Sequence, residues 1–227
     1  MTDGMATTAK LSTPAAAATA VPTDETSWFT PQRLRVMGIA AGAVALVALI
    51  TWFIIAAGQR KQTYAAAALE DARQVAQQSN FGLAVQRYSA IIANYGGTSS
   101  AYEANLGIAQ VRLVADQDQL AVTTLTDFLK TNPPALYAAP ANGLLGTAYE
   151  NLGRFPDAEA AYRKEADLAI ADYLKATSLL DAGRAARLAK KNDEAIAIYQ
   201  EILTKYGTTA AHTEAEIRLS ELTQGKQ

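Results

Sequence analysis

From residue 62 onward the apolar positions recur at helical spacing, and the whole pattern recurs every 37 residues. Ala84, Ala121, Ala158 and Ala195 mark the repeat; Tyr88, Leu125, Tyr162 and Tyr199 follow one helical turn later, and Ala72, Ala109, Gly146 and Gly183 stand twelve residues before each alanine. A fixed period of this length is the signature of stacked helical hairpins, each too small to bury its own apolar face. The spacing predicts helices over 64–78 and 83–94, stopped at Tyr95-Gly96-Gly97. A second hairpin spans 100 to about 130, closed by Thr131-Asn132-Pro133-Pro134. The third reads as 141–152 and 156–168 around a break at Gly153, with Pro156 opening its second helix. The fourth reads as 172–190 and 193–205, and a last amphipathic helix over 209–222 caps the open end. The turn between hairpins three and four is poorly marked. Ile170 stands where a glycine or proline stop is expected, Glu165 replaces an apolar residue, and Asp172 is the best N-cap on offer. One long helix kinked there is the alternative reading.

Ahead of the repeats, residues 36–57 read VMGIAAGAVALVALITWFIIAA without a charge. A spanning helix needs about 20 such residues, and a signal-peptide core is shorter and nearer the N-terminus. Trp28, Phe29 and Trp52 stand at its ends as interfacial anchors do. Arg33 and Arg35 precede the run and Arg60 and Lys61 follow it, so flanking charge gives no orientation. Gly38 and Gly42 form a GxxxG pair, a spacing that lets two membrane helices approach closely. Thr30-Pro31 is a helix start, and no further proline occurs before Gln78. A single helix from Pro31 to Gln78 would reach roughly 70 Å.

Residues 1–29 form a tail rich in Ala, Thr, Ser and Pro, too poor in large apolar groups to order alone, so it is disordered or held by a partner. The domain limits that follow are 1–29, an anchor over 30–61 and a repeat domain over 62–227. Net charge is −2 over 227 residues, which leaves no footprint for nucleic acid, and there is no cysteine. His212, the only histidine, lacks metal partners. No G-x-S-x-G elbow or phosphate loop occurs. Asp116/Asp118 and Glu214/Glu216 read as a helix start and a solvated face. The expectation is a non-enzyme with no cofactor, no metal and no small-molecule substrate.

Leu145-Gly146-x-x-Tyr149, Gly153, Phe155, Ala158 and Tyr162 together resemble the tetratricopeptide repeat; Gly183, Ala195, Tyr199 and Ile202 repeat part of it. Small residues there let helices touch, and Tyr149 and Tyr162 are expected to fill the space between hairpins. The fold class expected is all-α: one transmembrane helix, an α-solenoid of about four tetratricopeptide-like hairpins and a C-terminal capping helix. In such repeats the first helix of each hairpin lines a groove. Carrying those positions over implies Arg73, Gln77, Arg112, Glu150, Asn151, Arg184 and Arg187 as a partner-binding surface, mostly basic and suited to carboxylates. The alternative is that these are solvated helix faces.

Tyr95-Gly96-Gly97-Thr98-Ser99-Ser100-Ala101 and Tyr206-Gly207-Thr208-Thr209-Ala210 look like junctions of bacterial envelope repeats. With a short tail and one span, the layout is similar to the YfgM-like family of ancillary subunits of the bacterial protein-translocation channel. That resemblance implies a single-pass membrane scaffold with periplasmic repeats, whose partners are the bilayer and subunits of a membrane protein complex. Two other readings stay open: a structural subunit of a respiratory or photosynthetic assembly, and a chaperone-like peptide receptor.

Overall fold

The computed structural model describes residues 30–224. Among these, all regular structure is helical: α1 (Pro31–Gln77), α2 (Phe81–Tyr95), α3 (Ser99–Val114), α4 (Asp118–Lys130), α5 (Ala135–Asn151), α6 (Phe155–Leu168), α7 (Asp172–Leu188), α8 (Asn192–Lys205) and α9 (Ala211–Gln224). The chain divides into two compact units, Met1–Trp52 and Phe53–Gln227. The expected tail, with Trp28 and Phe29, lies outside the described residues.

In the first unit α1 opens as its sequence predicts. The Thr30 carbonyl accepts from the amide of Leu34 at 2.9 Å, and its hydroxyl accepts from Arg33 at 3.4 Å. Every side chain from Pro31 to Trp52 is exposed. α1 is the one described helix long and apolar enough to cross a membrane; a signal sequence meets the same criteria. A Cβ on Gly38 or Gly42 would meet nothing within 4 Å, so among the described residues nothing else packs on them. The helix runs without a break through residues 58–63.

In the second unit the end of α1 pairs with α2, followed by α3 with α4, α5 with α6, α7 with α8, and the single α9. The 37-residue pattern is the core. Ala72, Ala84, Ala109, Ala121, Ala158 and Ala195 are fully buried, and so nearly are Tyr88, Leu125, Tyr162 and Tyr199. Three glycines accept tyrosine rings. A Cβ at Gly107 would stand 2.7 Å from the Tyr88 ring, at Gly146 2.5 Å from Tyr162, and at Gly183 2.5 Å from Tyr199. Tyr162 and Tyr199 thus lie against the first helix of their own hairpins, whereas Tyr88 crosses from α2 to α3. Tyr162 had been expected to fill the gap between hairpins. It also packs against α7 in the cluster containing Ala176 and Leu179.

The period extends to the backbone. Ser79, Asp116, Gly153 and Lys190 are 37 residues apart, and all are left-handed, with φ of 61°, 54°, 70° and 63°. The next residue's amide reaches back five positions: Asn80 to Val75, Gln117 to Arg112, Arg154 to Tyr149 and Lys191 to Ala186, at 2.7–3.3 Å. This is the left-handed C-terminal turn that satisfies orphan helix carbonyls. The carbonyls of Asn80, Gln117, Arg154 and Lys191 then accept from Ala84, Ala121, Ala158 and Ala195 at 2.9–3.0 Å and start the second helix.

The junctions between hairpins depart from expectation. α5 begins at Ala135, six residues before the expected start, and contains Pro140. Proline costs that helix one rung. Tertiary contacts offset it: Tyr137 stacks on Tyr102 of α3 at 4.9 Å, and the Pro134 carbonyl accepts from Tyr137 and Ala138. Between α6 and α7 the chain is broken, not kinked, because Ala169 and Ala171 are extended at ψ 140° and 137°. The N-cap there is Ala171, with Asp172 in the first turn.

Candidate functional site

The first helices α3, α5 and α7, backed by α6, enclose a groove. One part of it, about 580 Å³ including space open to solvent, is lined by Leu106 and Gln110 of α3, Pro140, Gly143 and Thr147 of α5, Tyr162 and Glu165 of α6, and Asp181 of α7. A second cavity of about 630 Å³ shares Pro140 and Glu165 with it and is walled by Leu136, Leu168, Ile170 and Leu174. The two meet at the Glu165 carboxyl.

That carboxyl lies against the backbone of Gly143, so close that a Cβ there would collide with it. Half-burial pushes Glu165 up to about 7; the Ser178 hydroxyl opposes the shift and the charge of Asp181 adds to it. Burial also raises Asp181, against Arg184 and with the help of Glu150. Arg184 bridges Glu150 at 2.9 Å and Asp181 at 3.0 Å, and Glu150 accepts from the Tyr162 hydroxyl at 2.8 Å. Burial works against the charge of Arg184, but these two carboxylates outweigh it and raise its pKa. Burial likewise raises Tyr162.

The other residues singled out by sequence do not converge on one point. Arg73 of α1 pairs with Glu103 of α3, and Arg187 of α7 with Glu221 of α9 at 3.5 Å. Arg112 turns away onto α4 of its own hairpin, donating to the Leu120 carbonyl at 2.8 Å and to the Thr124 hydroxyl. Asn151 donates to Asp118 at 2.7 Å, and Gln77 ends α1, exposed. Arg73, Arg184 and Arg187 are therefore ion-paired across neighbouring first helices. The surface is charge-balanced, and its centre is acidic instead of mostly basic. Only Glu150 and Arg184 of the seven meet each other. Glu165 and Asp181 were missed as site residues; the signal for Glu165 was its charge at an apolar position of α6.

Residues 177–209, which cover α8 and most of α7, match the family Tetratricopeptide repeat. The chain resembles the crystal structure of TPR-like repeats described as a kinesin light chain from Podosopora anserina, with TM-score 0.58 and 14% identity over 73% of this chain and 88% of that one. A variant of the same repeats matches equally, at TM-score 0.58 and 14% identity over 73% and 87%. At this identity the likeness shows the fold alone. A comparison with curated proteins finds no match. The second unit is thus an all-α, tetratricopeptide-like solenoid, an architecture whose usual work is protein–protein interaction.

Proposed function

We propose that the chain is a non-catalytic, single-pass membrane scaffold that docks protein subunits of a membrane complex through its helical repeats. The observation that carries this reading is the presence, in one chain, of a wholly exposed apolar stretch of α1 from Pro31 to Trp52 and an open groove across α3, α5 and α7. Its parts are a tail over 1–29, an anchor over 30–61 and a repeat domain over 62–227. The repeats stand on the side opposite the tail, outside the cytoplasm, as the likeness to translocon ancillary subunits implies. Partner contacts fall on the surface marked by Arg73, Gln77, Arg112, Glu150, Asn151, Arg184 and Arg187, with Gly38 and Gly42 as a second contact within the membrane.

The test is mass spectrometry of the protein purified in mild detergent. A stoichiometric set of membrane subunits is expected. Heterogeneous, substoichiometric clients would replace the scaffold with a receptor that samples peptides. Gly38→Leu with Gly42→Leu separates anchor docking from groove docking, since bulk there blocks close helix approach. For the groove, Arg184→Gln is cleaner than Arg184→Glu, which would set a third carboxylate beside Glu150 and Asp181.

A further inference from the structure

The cavity between α5 and α7 has a chemistry that a general docking surface does not require. Leu136, Ile170 and Leu174 are 68%, 83% and 45% exposed around one opening, an apolar cluster of the kind that marks an interaction site. At its inner end stands one carboxylate. The carboxyl of Glu165 lies against the bare backbone of Gly143, where a Cβ would force it to shift.

The groups around Glu165 do not neutralise it. From α7 it faces Asp181 and the hydroxyl of Ser178; from α5 it faces Gly143, with Glu150 farther along; from α3 the groove offers the neutral Leu106 and Gln110. Tyr162 of its own helix donates to Glu150. Arg184 is already held between Glu150 and Asp181. Among the described residues Glu165 has no basic partner, so the groove presents an apolar mouth leading to an uncompensated acid.

The geometry points to this groove as a docking site for a protein segment that carries apolar side chains followed by a lysine or arginine. The apolar groups fill the space among Leu136, Ile170 and Leu174, and the cation meets Glu165 and Asp181. This deepens the scaffold reading and rests on it. A cation binds the ionised carboxyl. With Glu165 held up to about 7, its ionised fraction rises about tenfold from pH 6 to 8, and affinity rises with it.

The test uses the full chain in nanodiscs of neutral lipid, with empty nanodiscs subtracted. The probe is a fluorescent twelve-residue peptide bearing three leucines and one lysine at helical spacing. Its two counterparts carry glutamate for the lysine, or serines for the leucines. The lysine peptide is expected to bind about tenfold or more tighter than the glutamate peptide, and tighter still as pH rises from 6 to 8. Glu165→Gln should sharply reduce both the charge preference and the pH dependence, Asp181 keeping a remnant, while leucine-dependent binding persists. Ile170→Asp, at an exposed position that leaves helicity intact by circular dichroism, should lose leucine-dependent binding. Equal binding of the lysine and glutamate peptides, or an unchanged pH profile in Glu165→Gln, overturns the inference. So does self-association of the chain that Ile170→Asp abolishes while no peptide binds. Failure of the scaffold reading looks different: no stoichiometric complex is recovered from the wild type, whatever the peptides do.

Discussion

The turns inside the hairpins and the junctions between them follow opposite rules. Inside, four turns built on Ser79, Asp116, Gly153 and Lys190 adopt one geometry with four unlike residues. Between, every junction is different. Gly97 at φ 79° precedes a Thr98 cap, Asn132 at φ 51° precedes two prolines, and the α6–α7 link uses extended Ala169 and Ala171. The repeated part holds the array together. The variable part opens the groove, since Leu136, Ile170 and Leu174 all belong to junctions or to the first turns after them. Regularity here serves stability, and departure from it creates surface chemistry.

The contrast breaks most sharply at the glycine–tyrosine contacts. Gly146→Leu or Gly183→Leu drives bulk into a buried ring and should destabilise by about 3 kcal/mol or more, seen as a large fall in the melting temperature of the full chain in detergent. Ile170→Ser, at an exposed junction position, should change stability by less than about 0.5 kcal/mol in the same measurement. A comparable loss at both sites would mean that junctions are as tightly built as hairpins.

Glu165 sharpens the comparison with a pH dependence. Its carboxyl titrates near 7 when folded against an ordinary value of 4.5, so the folded state holds the proton that the unfolded state has lost. Stability therefore falls as pH rises from about 4.5 to 7 and levels off above. Asp181, also raised, acts in the same direction. Glu165→Gln should gain about 1–3 kcal/mol at pH 8 and almost nothing at pH 4.5. Melting curves across that range check it, and a gain independent of pH would refute the assignment.

The smallest effects belong to the turns. Lys190→Gly should stabilise by up to about 1 kcal/mol, because a side chain at positive φ is strained there, and Gly153→Ala should cost about as much. If Lys190→Gly has no effect, the left-handed turn is not held by its backbone alone.

Hairpin positions were legible because small and bulky residues at fixed spacing report directly on helix contact. Six alanines, Gly146 and Gly183 all occupy the buried places that their period implies. The left-handed turn was legible only at Gly153; Ser79, Asp116 and Lys190 give no local sign, since their conformation follows from the flanking helices. The early start of α5 was hidden because Pro133, Pro134 and Pro140 all argue locally against a helix, and only the stacking of Tyr137 on Tyr102 decides the matter. The site was least legible. Which charges neutralise one another depends on side chains 30 and 34 residues apart, Arg73 with Glu103 and Arg184 with Glu150, and spacing alone does not pair them.

Each hairpin turn closes on bonds spanning only three to five residues, Lys191 to Ala186 among them, and each small–bulky contact lies within one period or the next. Structure of that kind searches little conformational space before it is rewarded, which favours rapid folding. It also suits a chain made from one end. Once α1 has emerged from the ribosome, each hairpin can consolidate on its predecessor while the next is still being synthesised, and little apolar surface waits exposed to aggregate.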